Sequence, residues 1–421
     1  MSVSRKRFGR RGAALSVAAV AATSLVAAAS SFASTAKVKF TGKPYVVAVN
    51  TPIASPYGDF PGSVAAAKAS ARAINASGGI NGHQVEVISC KTQGDPNLEL
   101  GCARKTVAAG AIATINSFIF SNPNGYLDEL QKAHTADIGS EIVVPQFAQA
   151  KNVFPLTFGF GAFADCTGKA MAKYAGGDRI STYIAELPSS TGLENFMIAG
   201  AKAQGTDWVG AAGTPATVTD WTPIVQEAAN LKPNIVIPGG GAQQFGPFLT
   251  TALSLGDHWS YCAFASGNLS KRLAPLGAAA NSFYDGNALP TLASENQIPE
   301  LKVFAAQMKA EQNAGDSAAK VTGLGFDWEM LQAWLAMQVF DQVATSIHGT
   351  VTPAKFLAKI NKAKFSGEGI IPAINFAKPQ KYGPFTRVFN PTTELERWSA
   401  KLDEFVVIPH STINGAKLLF G

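Results

Sequence analysis

The strongest constraint on the fold is a strand–helix alternation that runs from residue 45 to residue 107. Tyr45-Val46-Val47-Ala48-Val49 is a short apolar, β-branched run of the kind that forms a strand buried on both faces. It stops at Asn50-Thr51-Pro52, and the loop Ser55-Pro56-Tyr57-Gly58-Asp59 is rich in turn-forming residues. Val64, Ala67, Ala71 and Ile74 then recur at helical spacing. Gly78-Gly79 closes that helix, because glycine accepts the left-handed conformation a helix C-terminus needs. Residues 85–90 form a second apolar run. Gly94-Asp95-Pro96-Asn97 opens a second helix, with Asp95 placed to cap it and Pro96 in its first turn. Units in this order build parallel sheets whose ligands bind at the C-terminal ends of the strands.

The pattern continues and then restarts. Residues 111–115 predict a third strand. The stretch from Phe118 to Asn124 leads into a helix ending near Ala133, which Ser121 or Asn122 can cap ahead of Pro123. Such an end offers free N–H groups and positive partial charge suited to a carboxylate, and an ordinary capped helix is the plainer reading. Residues 137–144 form a fourth short strand and its loop, with Ser140 and Glu141 near the tip. From residues 161–165 a new series begins. Strands at 179–185, 208–212, 233–237, 260–264 and 282–287 alternate with helices at 192–204, after Thr219-Asp220-Trp221-Thr222-Pro223, and at 244–254. Long helices at 298–313, 327–347 and 353–364 return to the first series. The chain recrosses near 366–378, and residues 387–407 close the second series as an antiparallel ribbon. The expected fold class is α/β, with two Rossmann-like lobes of parallel sheet joined by a three-stranded hinge. Residues 44–163 plus 288–365 form the first lobe, and 164–287 plus 366–421 the second. Three crossovers permit closure around a solute.

The leader points to export, and the charge balance of the rest argues against nucleic-acid binding. The formal +6 looks basic, but Arg5, Lys6, Arg7, Arg10 and Arg11 all precede the apolar run 13–29 and the small-x-small pattern Ser31-Phe32-Ala33. Residues 1–33 therefore read as a secretion signal, with 34–43 as a polar linker. Without those 33 residues 30 basic stand against 29 acidic side chains, which lacks the basic footprint of a nucleic-acid binder. An uncleaved anchor is the other reading of the leader, and Ser4-Arg5-Lys6-Arg7-Phe8 faintly resembles a twin-arginine signal. No cysteine marks a lipoprotein site, and no later segment is apolar enough to span a bilayer. Four cysteines in an exported chain favour disulfides. Cys90 ends a strand and Cys102 lies on the next helix, so they are expected to pair. Cys166 and Cys262 then pair by elimination, or stay as buried thiols.

The order of signals carries a resemblance. Pro56-Tyr57-Gly58-Asp59 after the first strand, Ile74-Asn75-Ala76-Ser77-Gly78-Gly79-Ile80-Asn81-Gly82 after the first helix and Gly94-Asp95-Pro96 after the second strand resemble the Leu/Ile/Val-binding family. These are bilobed extracytoplasmic solute-binding proteins of ABC importers, with the type I periplasmic binding protein fold. The resemblance covers nearly all the chain after the leader. It implies a monomer that binds a small amino acid or related carboxylate, amide or aromatic acid between its lobes and delivers it to membrane permease subunits. It implies ligand positions at Tyr57, Phe120, Ser121, Ser140, Glu141, Asp165 and Trp328 on the first-lobe side and hinge. On the second lobe it implies Thr191, Gly241, Gln243 and Ser266. The family's amino-acid binders hold the ammonium with acidic residues, one of them on the second lobe, where this chain has Ala265 or Ser266. Glu141 and Asp165 are left to supply that charge. Otherwise the ligand has no ammonium, and Phe118, Phe120, Phe163 and Trp328 line a pocket for an apolar or aromatic acid.

Catalytic and cofactor motifs are missing from the sequence. There is no nucleophile elbow, zinc-protease motif, phosphate loop or paired Cys-x-x-Cys, and the Gly239-Gly240-Gly241 cluster lacks dinucleotide spacing. The five histidines, His83, His134, His258, His348 and His410, have no ligand spacing, so neither metal nor cofactor is expected. A binding protein is the expected class. A ligand-sensing receptor on the same fold is the alternative, and a hydrolase lacks an activated nucleophile.

Overall fold

The computed structural model describes residues 39–55, 58–140, 142–185, 190–215, 218–239, 242–264, 269–321 and 328–421. The expected leader, its cleavage point and the first half of the linker lie outside the described residues. Residues 40–421 form one compact unit.

In the first half the alternation is β1 Tyr45–Thr51, α1 Pro61–Ala76, β2 Val85–Lys91, α2 Pro96–Ala108, β3 Ala113–Ile115, α3 Pro123–Lys132, β4 Ala136–Ile138 and β5 Val153–Phe154. These strands make a parallel sheet of order β2-β1-β3-β4-β5. The caps fall where local chemistry puts them. Asp95 accepts from the N–H groups of Asn97 and Leu98 at 2.8 and 2.9 Å, and Asn122 accepts from Gly125 N–H at 3.1 Å. Gly78 and Gly79 follow α1 at φ of 109° and 70°.

The second half contains α4 Ala162–Cys166, α5 Lys169–Ala175, β6 Arg179–Ala185, α6 Ser190–Gln204, β7 Asp207–Thr214, α7 Thr222–Asn230, β8 Ile235–Gly239, α8 Ala242–Ser254, β9 Ser260–Phe264, α9 Ser270–Leu273 and β10 Phe283–Asn287. Its parallel strands run β7-β6-β8-β9-β10. Renumbered from its own first strand, that order is the same as in the first sheet. The two halves share an architecture although their sequences do not match.

The chain continues as α10 Glu300–Asn313, α11 Trp328–Thr345 and α12 Pro353–Ile360. The helices α10 and α11 pack on α1, and α12 packs on α11 and β4. The small ribbons β11 Lys364–Phe365 with β12 Ile374–Asn375, and β13 Gln380–Tyr382 with β14 Phe385–Val388, follow. Then β15 Thr392–Ser399 and β16 Glu404–Val407 add antiparallel to the β10 edge, before β17 Ile413–Asn414 and the terminal helix α13 Gly415–Phe420.

Two expectations shift. The helix expected over 353–364 stops at Ile360, because Lys364 and Phe365 pair with Asn375 and Ile374. The expected return to the second lobe at residue 366 comes later, since Ile370, Ile371, Ile374 and Phe376 are buried in the core that also holds β1 and α11. Sequence reading also missed α5, β5 and α13, which are short and carry little periodic signal. Both disulfides form: Cys90–Cys102, with Cα atoms 5.5 Å apart, and Cys166–Cys262, at 5.3 Å.

Candidate functional site

In a sheet of order 2-1-3-4-5 the ligand crevice lies where the connections diverge, between the first and third strands. Here that point falls between β1 and β3 in the first sheet and between β6 and β8 in the second. The first-sheet loops are residues 52–60 and 116–122.

Asn116 opens the second of these loops in a left-handed conformation, φ 47°, which asparagine tolerates better than most side chains. Its Nδ2 donates to Ser63 Oγ in the first turn of α1 at 3.2 Å and to Glu329 Oε2 in the first turn of α11 at 2.7 Å. One side chain thus joins the ends of three elements. Beyond it, Phe60, Phe118 and Phe120 form an aromatic row, with ring centroids 5.1 and 5.8 Å apart. Phe118 and Phe120 are half-buried, so the row keeps an accessible face. Hydroxyls end the neighbouring strands. Thr51, Thr92 and Ser140 are fully buried, and none of their hydroxyl oxygens has a hydrogen-bond partner among the described residues.

The N-terminus of α3 does not offer the free donors expected of it. Pro123 has no N–H, Gly125 N–H is capped by Asn122, and the three amides that lead into the helix are taken by the carboxylate of Glu99, from α2. Its Oε1 accepts from Phe120 N–H at 3.0 Å, Ser121 N–H donates to both oxygens, and Asn122 N–H donates to Oε2. Burial pushes the Glu99 pKa up, and the three N–H bonds pull against that rise. The physics of the helix end is as expected, but the anion belongs to the chain itself. Replacing Glu99 by Ala should cost about 2–3 kcal/mol by stranding these donors, and Glu99→Gln less. Denaturant unfolding measures the loss, and the amides of residues 120–122 should exchange faster in Glu99→Ala.

The predicted ligand positions divide into three groups. Tyr57, Glu141, Gly241 and Ser266 lie outside the described residues. Thr191 and Gln243 fall near the N-terminal ends of α6 and α8, and their side chains lie outside the description. The remaining five are placed. Phe120 belongs to the aromatic row. Ser121 is exposed and its Oγ donates to Gly94 O at 2.6 Å, which turns it toward the α2 loop. Ser140 is one of the buried strand-end hydroxyls. Trp328 is 6% exposed within the first-lobe core, so it packs there rather than standing open. Phe163 is likewise buried in a second-lobe core.

Asp165 is 4% exposed. Burial pushes its pKa well above the carboxylate range, a hydrogen bond from Thr393 opposes this, and Asp285 and Glu394 raise it further. Glu396 is raised in the same way, by burial first and then by Asp285, its cross-strand partner between β10 and β15. Burial thus disfavours the charged form of Asp165, the form that the role of ammonium counter-ion needs.

Sequence reasoning also missed a buried polar network behind the loops. Asn50 Nδ2 donates to Thr106 Oγ1 at 3.0 Å and to Tyr126 OH at 2.7 Å. Ser117 Oγ lies 2.9 Å from the same phenol, and Thr114 Oγ1 donates to Asp137 Oδ2 at 2.7 Å. Burial pushes Asp137 up to about 7, against the hydrogen bonds from Ser117 and Thr114. An aspartate in the middle of the three-residue strand Ala136–Ile138 was the available signal. Among the described residues no group of three or more His, Cys, Asp or Glu could hold a metal ion, and no helix is long and apolar enough to cross a membrane.

Comparison with known proteins adds the family context. A family model described as "Periplasmic binding protein" matches residues 44–387. A search of curated proteins returned no match. Among solved structures, the chain is similar to a fatty acid ABC transporter substrate-binding protein from Thermomonospora curvata. The TM-score is 0.72 at 15% identity, covering 90% of this chain and 95% of the other. It is similar to a solute-binding protein of an ABC transporter from R. palustris in complex with 4-hydroxybenzoate, with TM-score 0.70, 14% identity, and 88% and 97% covered. It is also similar to a branched-chain amino acid transporter substrate-binding protein from Streptococcus pneumoniae in complex with isoleucine, with TM-score 0.68, 13% identity, and 87% and 99% covered. At these identities the likeness carries the fold alone.

Proposed function

The chain belongs to the periplasmic binding protein family, and from that premise we propose that it is the extracytoplasmic receptor of an ABC importer for a small apolar or aromatic carboxylic acid. The ligand docks on the first lobe, the second lobe closes over it, and the closed form is what membrane permease subunits recognise. The solute leaves chemically unchanged, in keeping with a family and neighbours that are solute-binding proteins rather than enzymes.

The observation that carries the ligand class is the row Phe60–Phe118–Phe120 at the first-sheet switch point. Aromatic faces at the mouth of a crevice favour a flat or apolar body. Burial of Asp165 disfavours the charged carboxylate that an ammonium would need. A small amino acid is the second reading, and it needs the charge of Glu141. Within this proposal Tyr57, Thr191, Gly241, Gln243 and Ser266 supply the remaining contacts, residues 1–33 serve as the export signal, and the protein acts as a monomer.

A thermal-shift screen with 4-hydroxybenzoate, a medium-chain fatty acid and isoleucine tests the proposal. A ligand at 100 times its Kd should add about 2.7 kcal/mol of stability. Phe118→Ala should weaken binding of the responding acid about tenfold, the equivalent of about 1.4 kcal/mol. Stabilisation by isoleucine alone would move the assignment to the amino-acid reading. Turnover of the ligand would end the transport reading.

A further inference from the structure

Charge is unevenly distributed along this chain. Between residues 342 and 393 there are seven basic side chains and one acidic, Glu368. Taken from the 30 and 29 that follow the leader, these leave 23 basic against 28 acidic in the remainder. The basic excess is therefore local.

Packing gathers it further. Lys355 and Lys359 stand one turn apart on α12, while Phe356 and Ile360 turn into the core. The turn after α12 is held by Lys362 N–H to Lys359 O and Ala363 N–H to Ile360 O, both at 3.0 Å. It leads into β11, where Lys364 faces Asn375, and Lys378 N–H donates to Asn375 O at 2.9 Å. A groove lined by Gln131, Lys151, Asn152, Leu357, Asn361 and Arg387 brings the loop ahead of β5 beside the same helix, and no carboxylate lines it. Lys151, Lys355, Lys359, Lys362, Lys364 and Lys378 are all exposed. None of them takes part in an ion pair among the described residues. The negative end of α12 accounts for Lys359, but Lys151, Lys364 and Lys378 lie outside helices.

This region lies where the parallel strands of the first sheet begin, since Gln131 is in the last turn of α3 and Lys151 stands just ahead of β5. The chain enters the fold at that end of the sheet. Lys43 and Pro44 lead directly into β1, and the Tyr45 hydroxyl accepts from Val351 N–H, just ahead of α12, at 3.1 Å. The segment that follows the export signal therefore joins the fold beside the lysines.

The chemistry of the face selects its partner. Lysine is a strongly hydrated point charge on a flexible stem, and it is depleted in protein–protein interfaces, where arginine and aromatic side chains are enriched. The only arginine between 342 and 393 is withdrawn: Arg387 is half-buried, with its guanidinium 5.0 and 5.3 Å from the ring centroids of Phe154 and Phe389. None of the large apolar side chains exposed among the described residues falls in this segment. Unpaired lysines without apolar anchors match a diffuse field of negative charge rather than a shaped protein pocket.

We propose that this basic end of the first lobe is a peripheral membrane-docking face, which holds the exported protein against an anionic lipid surface by lysine charge. Attachment keeps the receptor near membrane-embedded permease subunits and is reversed by salt. The proposal rests on the reading of the chain as exported and not on the solute. The solute site lies at the opposite ends of the strands, so a failure here leaves the thermal-shift result standing.

The test is co-sedimentation of residues 34–421 with vesicles of phosphatidylcholine alone and with vesicles containing about one part in four of phosphatidylglycerol. The leader is omitted because it brings an apolar run and five basic side chains of its own, and residues 40–421 form one compact unit apart from it. Binding to the anionic vesicles only, released at an ionic strength of about 0.5 M, is expected. Combining Lys359→Gln, Lys362→Gln and Lys364→Gln should weaken it about 100-fold, at about fivefold per lysine. Combining Lys169→Gln, Lys173→Gln and Lys202→Gln makes the same change of net charge on the second half and should alter binding by less than about twofold. Both triple variants should melt with the wild type, since all six side chains are exposed. Equal binding to both vesicle types, binding to neither, or equal loss in the two triple variants overturns the proposal. Tighter binding to polyglutamate than to the anionic vesicles at matched charge assigns the face to an acidic protein and overturns it as well.

Discussion

Replacing Cys166 and Cys262 together by alanine is expected to destabilise the protein by about 4–5 kcal/mol, against about 3 kcal/mol for the Cys90 and Cys102 pair. The difference follows from the chain each bridge closes, a sequence separation of 96 against 12. A cross-link over the longer loop removes more conformations from the unfolded ensemble. Both Cys166 and Cys262 are completely buried, so their loss also leaves unfilled space in a packed core. Cys166 ends α4, the first element of the second half, and Cys262 sits on β9. The bridge therefore fastens the segment entering the second lobe to the middle of its sheet. Denaturant unfolding of the two double variants measures the pair of losses, and equal losses would refute the loop-length argument. Cys90 is half-buried, so its bridge should be the first to yield to a reductant in the native protein.

Asp137→Asn is expected to stabilise the protein by about 4 kcal/mol above pH 7 and to have little effect near pH 4. Burial raises the folded-state pKa of Asp137 from 3.8 to about 7. Between these values the folded protein keeps a proton that the unfolded chain has released. The wild type is thus favoured at low pH, loses stability as pH climbs from about 4 to 7, and loses no more on this account above that. Each pKa unit corresponds to about 1.36 kcal/mol, which sets the size of the effect. Asparagine does not ionise, and its amide oxygen can keep the hydrogen bond from Thr114. Asp165 and Glu396 have the same sign of pH dependence, but they are present in both proteins and cancel in the difference. Urea unfolding of both forms from pH 4 to 8 gives the curve, and parallel profiles would show that Asp137 titrates near its ordinary value.

The helix N-terminus at Asn122 shows how far local chemistry reaches. Asn122 and Pro123 marked the start of α3 correctly, and the positive end of the helix did attract a carboxylate. That the carboxylate is Glu99, 23 residues earlier, depended on how α2 packs beside α3. Asp165 gives the opposite case. The sequence offered it as a charged ligand position at a crossover, yet β10 and β15 pack against its helix and bring Asp285 and Glu394 near it. Trp328 followed its helical apolar neighbours Leu331, Leu335 and Val339 into the core.

By itself the sequence determined the strand–helix alternation, the two equivalent halves, the cap at Asp95, the Cys90–Cys102 pairing and the family. These depend on periods of two to four residues, on single turn residues, or on the order of signals along the chain. The tertiary structure alone decided which carboxylates are buried, which donors are already taken, and which lysines of separate segments share a face. Those outcomes depend on the solvent and partners each group meets after segments far apart in sequence have packed together, and no local period encodes them.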